Sequence, residues 1–169
     1  MGKFETLRLY GPIIFIPKYT QDSSQYLTID GKEHLLPPRT YTILNVAAIQ
    51  TNPAYWGPDA LAFRPDRFII ASTSPKPGTE EVLQPPAGTF IPWASGPRVC
   101  PGKKFAQVEF VAVVAKLFLK HRVRPKLEGG ETMEMAVRRL RECVMDSSLN
   151  ITLSMNHPER VRLVWEERA

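Results

Sequence analysis

The sequence predicts an α+β fold, and three patterns indicate it. A nearly continuous apolar run over residues 102–120 predicts one long helix. Two β-like segments flank Asp30-Gly31, a dipeptide that favours the tight turn of a hairpin. Sixteen prolines in 169 residues, about twice the usual ~5 %, predict long loops rather than an all-helical bundle. Hydrophobic residues (43 %) and charged residues (23 %) are near the globular average, so disorder is not expected.

The first half of the chain carries short elements separated by turn signals. Residues 1–10 have the pattern of a helix end, which Gly11-Pro12 stops. A hairpin is predicted over residues 26–35, and a further strand over residues 41–46. The proline-rich segment 50–98 is predicted to be irregular but ordered, because aromatic residues recur along it. These are Tyr55, Trp56, Phe63, Phe68, Phe90 and Trp93.

The second half of the chain begins with the helix predicted at residues 102–120. Its apolar residues cover nearly the whole circumference, which is typical of a helix buried on most sides. A second helix is predicted at residues 131–146, and strands at residues 150–155 and 161–165. We expect residues 1–169 to form a single partial domain.

Composition excludes several classes of protein. Cys100 and Cys143 are too few and too far apart for a disulfide scaffold. The three histidines are scattered, so a structural zinc site is not expected. The start of the chain has no apolar run of the kind found in a signal peptide, and no stretch is long enough to cross a bilayer. The net charge of +5 fits an acidic protein partner, a nucleic acid or an anionic membrane surface equally well.

The most informative segment ends at Gly102 and contains a cysteine directly before the long helix. The N-terminal end of a helix favours negative charge, and therefore the thiolate form of Cys100. Arg98 offers a planar fork for carboxylates, Trp93 a flat aromatic wall, and Gly96 room for a close approach. A thiolate, an arginine and an aromatic wall suit a planar, anionic cofactor that carries a metal, and haem fits this description.

The pattern Trp93-x-x-Gly96-x-Arg98-x-Cys100-x-Gly102 resembles the haem-binding loop of the cytochrome P450 family, although that loop normally begins with phenylalanine. The resemblance implies haem b as cofactor and the Cys100 thiolate as the axial iron ligand and catalytic residue. It also implies that Arg98 contacts a haem propionate and that Trp93, Gly96 and Gly102 shape the site.

Further matches follow the family's chain order. Glu5 and Arg8 resemble the E-x-x-R pattern of its K helix, and residues 63–68 resemble its P-E-R-F segment with aspartate in place of glutamate. Arg67 would complete an ion-pair network with Glu5 and Arg8. Lys18 lies where the family often has a second basic residue for a propionate.

The resemblance covers the last third of a complete family member. The sequence is most similar in character to fungal members of the family. It implies, in order, the end of the K helix, a small antiparallel sheet, the meander loop, the cysteine-ligand loop, a buried L helix and C-terminal strands.

The activity implied by the resemblance is that of a monooxygenase, which inserts one oxygen atom from O2 into a lipophilic organic substrate. Electrons would come from a flavoprotein reductase, with Lys103 and Lys104 as possible contacts. No nucleic-acid partner is implied. The family location is the cytosolic face of the endoplasmic reticulum membrane. This chain has no anchor or signal peptide, so membrane attachment is implied only through a missing N-terminal anchor.

A second interpretation is a truncated haem-binding fragment without catalytic competence. Family members carry a distal helix, well before the cysteine, whose acid–threonine pair delivers protons to oxygen. Residues 129–132 (Gly-Gly-Glu-Thr) are similar, but their spacing is one residue short and they follow Cys100. We therefore expect the chain to be the C-terminal part of a longer protein.

Overall fold

The computed structural model describes residues 2–70 and 80–168. The chain divides into two compact units, Met1–Ala94 and Ser95–Ala169. Both units combine helices with short antiparallel strands, so the predicted α+β class is confirmed. The single domain expected over residues 1–169 stays a prediction. Residues 71–79 of the segment predicted to be irregular lie outside the described residues.

The first unit begins with the helix that the sequence predicts. Its helices are α1 (Gly2–Tyr10), α2 (Val46–Thr51) and α3 (Pro53–Trp56), with a 3₁₀ helix at Pro65–Phe68. Its strands are β1 (Phe15–Tyr19), β2 (Gln25–Ile29), β3 (Lys32–Leu36), β4 (Tyr41–Asn45), β5 (Ile69–Ile70) and β6 (Glu81–Val82). Helix α1 ends before Gly11, where an added Cβ would lie 2.7 Å from the carbonyl oxygen of Leu7. The close approach of the chain at this helix end therefore requires glycine.

The strands described in the first unit form three antiparallel pairs, β1 with β4, β2 with β3, and β5 with β6. The β2–β3 hairpin pairs Ile29 with Lys32. Its two turn residues, Asp30 and Gly31, both have positive φ angles (50° and 74°), as the predicted primed turn requires. The sequence-based hairpin is therefore confirmed. In the other long pair, Lys18 of β1 lies opposite Thr42 of β4.

Two short helices were not predicted: α2 begins at Val46, the last residue of the predicted strand 41–46, and α3 lies within the segment 50–98 that was predicted to be irregular. The side chain of Asn45 accepts a hydrogen bond from the N–H of Ala48 at 2.9 Å and so caps α2. The side chain of Asn52 caps α3 by accepting one from the N–H of Ala54 at 2.9 Å, and Pro53 occupies the first helical position. Asparagine before a helix and proline at its first position are both recognised start signals.

An aromatic cluster forms the core of the first unit. Trp56, Ala60 and Phe68 are buried, and Phe4 and Phe90 pack against them. The ring centroids of Phe68 and Phe90 are 5.2 Å apart, and those of Phe4 and Phe68 are 5.5 Å apart. The proline-rich segment is thus held to α1 by aromatic packing. The predicted packing of its aromatic residues is confirmed for Trp56, Phe68 and Phe90, whereas Tyr55 and Phe63 are exposed.

The second unit contains two long helices and two strand pairs. Its elements are α4 (Lys103–Lys120), β7 (His121–Pro125), α5 (Met133–Met145), β8 (Ser147–Leu149), β9 (Leu153–Met155), a 3₁₀ helix at Pro158–Arg160, and β10 (Leu163–Glu167). Strand β7 pairs with β10, and β8 with β9. Both predicted helices are present. The single strand predicted at residues 150–155 is wrong, because residues 150–152 form the turn between β8 and β9.

Helix α4 differs from its sequence-based prediction in burial. None of its 18 described residues is buried, and Phe105 and Leu119 are 72 % and 77 % exposed. The predicted burial of this helix is therefore not observed. The apolar residues around the helix show that its side chains favour an apolar environment. Burial also requires neighbouring residues on every side of the helix. Within the unit, the ring centroid of Phe118 on α4 lies 5.5 Å from that of Trp165 on β10.

Helix α5 is anchored at its start and along one face. Thr132 caps it by accepting a hydrogen bond from the N–H of Met135 at 3.3 Å. Ala136 and Cys143 are its buried residues, and the thiol of Cys143 lies 3.2 Å from the carbonyl oxygen of His157. Cys143 therefore has a packing role in the second unit.

Candidate functional site

Glu5 and Arg8 form an ion pair that is completely buried in the first unit. Their three-residue spacing places both side chains on one face of α1. Arg8 Nε lies 2.7 Å from Glu5 Oε2, and Arg8 Nη2 lies 2.7 Å from Glu5 Oε1. The two side chains have no exposed area. This two-bonded geometry is the strongest form of an arginine–carboxylate contact.

The remaining N–H groups of Arg8 bind main-chain carbonyls from two distant segments. Arg8 Nη1 donates to the carbonyl oxygen of Gln50 at 2.8 Å and to that of Ala60 at 2.6 Å. Its guanidinium also lies 4.9 Å from the centre of the Trp56 ring. Arg8 therefore joins α1 to α2 and to the loop that follows α3.

Arg67 reaches the same carboxylate from the 3₁₀ helix, at a longer distance. Its Nε lies 3.5 Å from Glu5 Oε1, beyond hydrogen-bond range, and is the one buried side-chain polar atom without a hydrogen bond among the described residues. Arg67 Nη1 donates to the carbonyl oxygen of Trp56 at 2.8 Å and to Asp59 at 3.1 Å. Arg67 is thus fixed by three groups, and its contact with Glu5 is the weakest.

The environment of Glu5 favours its ionised form. Burial by itself would raise the pKa of this carboxyl group. The hydrogen bonds from Arg8 and from the N–H of Arg64, which is 2.9 Å away, together with the charges of Arg8 and Arg67, outweigh burial and hold the pKa below its usual range.

Asp59 has a lowered pKa for a different reason. The hydrogen bond from Arg64 lowers it most, desolvation opposes this, and the hydrogen bond from Arg67 lowers it further.

The cysteine loop of the second unit lies directly before α4. The N–H of Val99 donates to the carbonyl oxygen of Gly96 at 3.1 Å, and Gly96 has a φ of 81°. The carbonyl oxygen of Cys100 accepts a hydrogen bond from the N–H of Lys103 at 3.2 Å. Gly102 is the N-cap of α4 and has no side chain to cap the helix. Negative charge close to such an end is favoured by the helix dipole.

The side chains of this loop are available to a ligand. Cys100 is a free and exposed cysteine. A Cβ added to Gly102 would lie 3.8 Å from the sulfur, so the glycine leaves space beside it. Arg98 is exposed, and its side chain makes no ion pair within residues 2–70 and 80–168. A thiol and an arginine without partners on one glycine-containing loop match the donor set that haem requires.

The other two predicted haem-contacting residues belong to the first unit. Trp93 lies in a turn that the N–H of Ala94 closes by donating to the carbonyl oxygen of Ile91 at 3.0 Å. Its ring meets that of Phe90 edge-on, with 6.4 Å between centroids. Lys18 is exposed on β1. The structure therefore brings Gly96, Arg98, Cys100 and Gly102 together on one loop, and places Trp93 and Lys18 in the other unit.

The sequence-based predictions did not include Gln50, whose side chain is buried in the first unit. Gln50 on α2 is 2 % exposed and hydrogen-bonds three main-chain groups. A signal for it exists, because Gln50 follows Val46 by four residues and so shares the buried face of a helix that Asn45 caps.

Residues 2–70 and 80–168 contain neither a cluster of metal-ligating side chains nor a helix able to cross a membrane. No group of three or more His, Cys, Asp or Glu side chains could hold a metal ion there. No helix in this described part has the length and apolar character needed to cross a membrane.

The family model of cytochrome P450 matches residues 4–146. The chain belongs to the cytochrome P450 family. The match includes both the α1 ion pair and the cysteine loop. It confirms the family predicted from the residue patterns, and with it a haem-containing monooxygenase family.

Two fungal cytochromes P450 are among the relatives. The phomenoic acid biosynthesis cluster cytochrome P450 monooxygenase of Leptosphaeria maculans is 33 % identical over 153 residues, which are 80 % of this chain and 25 % of that protein. A cytochrome P450 monooxygenase of Arthrobotrys oligospora is 32 % identical over 176 residues, covering 95 % of this chain and 30 % of that protein.

Among solved structures, the retinoic acid-bound cyanobacterial CYP120A1 matches 99 % of this chain with a TM-score of 0.65. At 19 % identity this match supports the cytochrome P450 fold alone. The chain spans 25 % and 30 % of the two fungal relatives and 32 % of the solved structure.

Proposed function

We propose that this chain carries the iron-ligating segment of a haem-thiolate monooxygenase, with Cys100 as the axial ligand. The observation that carries the proposal is the exposed, unpaired Cys100, placed two residues before the N-cap of a helix in a chain of this family. A thiolate at this place would have the positive end of α4 near it. When bound, haem would supply the activation of O2, with the thiolate donating electron density that favours O–O cleavage.

The protein's contribution is to hold and orient the cofactor. Arg98 would bind a haem propionate through its planar fork of N–H groups, and Lys18 would bind the second as a point charge. Gly96 turns the chain at a positive φ, a conformation that glycine adopts readily. Gly102 keeps the space beside the sulfur open. By resemblance, Trp93 would stand for the aromatic residue with which the family's loop begins, and its indole N–H would be an addition to that pattern.

The implied reaction inserts one oxygen atom from O2 into a lipophilic organic substrate. Electrons would come from a flavoprotein reductase, and Lys103 and Lys104 at the exposed start of α4 would contact its acidic surface. The proposed location is the cytosolic face of the endoplasmic reticulum membrane, as the resemblance to the family implies.

A second candidate function is haem binding without turnover. The specific observation that favours it is helix α4, whose described residues are all at least partly exposed although the helix is apolar around its circumference. An exposed apolar surface of this kind indicates that further protein is needed to complete a closed site.

The test is a haem titration of the purified 169-residue chain, followed by the spectrum of the reduced, carbon monoxide-bound form. We expect the absorbance band characteristic of thiolate ligation in the unsubstituted chain and in Cys143→Ser, and its loss in Cys100→Ser. Cys143→Ser is the matched control, because Cys143 is the other free cysteine and is buried in the second unit. Survival of the band in Cys100→Ser would overturn the assignment of the ligand.

The two candidate functions differ in turnover. Oxygen uptake that depends on a reductase and a lipophilic substrate would support the monooxygenase. A bound haem with the thiolate band but no oxygen uptake would support the second candidate.

A further inference from the structure

Gln50 is a buried side chain that connects three segments of the first unit. Its Nε2 donates to the carbonyl oxygens of Leu7 and Arg8, at 3.1 and 3.2 Å, which belong to the last turn of α1. Its Oε1 accepts a hydrogen bond from the N–H of Ile91 at 3.0 Å. The carbonyls at the end of a helix have no partner within the helix, so the amide satisfies groups that burial would otherwise leave unpaired.

Ile91 is the first residue of the turn that contains Trp93. Its side chain is 7 % exposed, its N–H is bound to Gln50, and its carbonyl oxygen accepts the hydrogen bond from Ala94 that closes the turn. Ala94 has a φ of 60°, an unusual value for a residue with a side chain. The turn is therefore held at its first residue by a side chain 41 positions earlier.

We propose that Gln50 is the positioning residue of the Trp93 turn. A primary amide offers donors and an acceptor at one end of one side chain, and both are used here. A carboxylate in its place would keep the acceptor for the N–H of Ile91. It would also place negative charge against the carbonyl oxygens of Leu7 and Arg8, to which the amide donates. An aliphatic side chain would lose all three bonds. The importance of Trp93 for haem rests on the proposed function, whereas the connection from Gln50 to Ile91 does not.

The test measures amide hydrogen exchange in the haem-free chain, residue by residue. In Gln50→Leu we expect the Ile91 and Ala94 amides to exchange at least about tenfold faster. The buried Ile91 N–H loses its bond to Gln50, and the turn that the Ala94 N–H closes is then no longer held at its first residue. In Gln50→Glu we expect Ile91 to remain protected. Gln25→Leu is the matched control, because Gln25 is exposed and its amide bonds only Ser23, at 3.2 Å. It should leave both amides unchanged.

Two results would overturn the proposal. One is an equal acceleration of Ile91 exchange in Gln50→Leu and Gln50→Glu. The other is a uniform acceleration in Gln50→Leu that includes the N–H of Thr20, which bonds Thr40 between β1 and β4. If Gln50→Leu fails to fold, Gln50→Glu is compared with the unsubstituted chain. Glutamate keeps the oxygen that accepts from Ile91, so loss of Ile91 protection in Gln50→Glu would then contradict the proposal. Because no haem is present, failure of the Cys100 assignment would leave this result intact.

Discussion

Replacement of Arg8 by methionine removes the central cation of the buried network and keeps a side chain of similar length. The substitution removes five hydrogen bonds, three of which run to main-chain carbonyls in other segments. It leaves the Glu5 carboxylate buried without its bidentate partner. The carbonyl oxygens of Gln50 and Ala60 also lose their contacts with the guanidinium.

The expected loss of unfolding free energy is large because the substitution leaves a buried charge without its partner. Removal of one partner from a buried pair destabilises a protein by about 3–5 kcal/mol. This is a large share of the total stability of a domain, which is about 5–15 kcal/mol. The exposed pair of Arg39 with Asp22 provides the contrast, since both side chains are more than three-quarters exposed. Arg39→Met should therefore change the free energy of unfolding by less than about 1 kcal/mol.

The assay is urea unfolding followed by tryptophan fluorescence and circular dichroism. Trp56 is a natural reporter, because the Arg8 guanidinium lies against its ring. Glu5→Gln and the double variant Glu5→Gln/Arg8→Met complete a thermodynamic cycle. We expect the double variant to lose less stability than the sum of the single variants, by about 0.5–3 kcal/mol. A loss below about 1 kcal/mol in Arg8→Met, or strict additivity in the cycle, would refute the reasoning.

The dependence of stability on pH provides a second test of the Glu5–Arg8 pair. The pKa of Glu5 is lowered in the folded state, because its hydrogen bonds and ion pairs outweigh burial. Its contribution to stability is thus complete above the unfolded-state pKa, about 4.3. That contribution is lost as the pH falls from there through the lower folded-state pKa. Below about pH 4.3, the free energy of unfolding should fall more steeply with decreasing pH for the unsubstituted chain than for Glu5→Gln. An equal pH dependence in the two chains would contradict this.

Two further substitutions test local geometry by the same unfolding assay. Gly11→Ala should destabilise the first unit by about 1–3 kcal/mol, because the new Cβ would lie 2.7 Å from the Leu7 carbonyl oxygen. Gly2→Ala should not destabilise it, because the space around Gly2 is open. Equal effects of the two substitutions would contradict the explanation. Thr132→Ala should lower stability by about 1 kcal/mol through loss of the α5 cap. Thr132→Ser should retain most of it, and an equal loss in both would show that the hydroxyl does not cap the helix.

Local sequence signals were sufficient for the longer helices and for the β2–β3 hairpin. Asp30-Gly31 identified its hairpin because both turn residues need positive φ, a condition that few dipeptides meet. The run over residues 103–120 identified α4 because its length and pattern leave no other element type. Helix α2 was missed although Asn45 marks its start. Short helices depend on tertiary contacts more than on propensity, so their sequence signal is weak.

Burial and long-range bonding were beyond the reach of the sequence. The pattern of α4 indicates which residues prefer an apolar environment, but it does not say which neighbours are present, and its exposure was not predicted. Gln50 has an ordinary place in the sequence, and its role depends on groups about 40 residues away in both directions. The cysteine loop was recognisable because its chemistry is contained within seven residues.

The span of the contacts around Arg8 also bears on how the first unit forms. Arg8 binds carbonyl groups 42 and 52 positions further along the chain, and Glu5 accepts from an N–H 59 positions away. Most of the stability of a helix in a protein comes from tertiary packing rather than from intrinsic propensity, and the side chains of Glu5 and Arg8 on α1 bond these distant segments. Loop-closure entropy must be lost before such distant partners can stabilise it, which slows folding. We therefore expect helix α1 and the chain around residues 50–64 to become ordered together, because each supplies the partners of the other's buried polar groups.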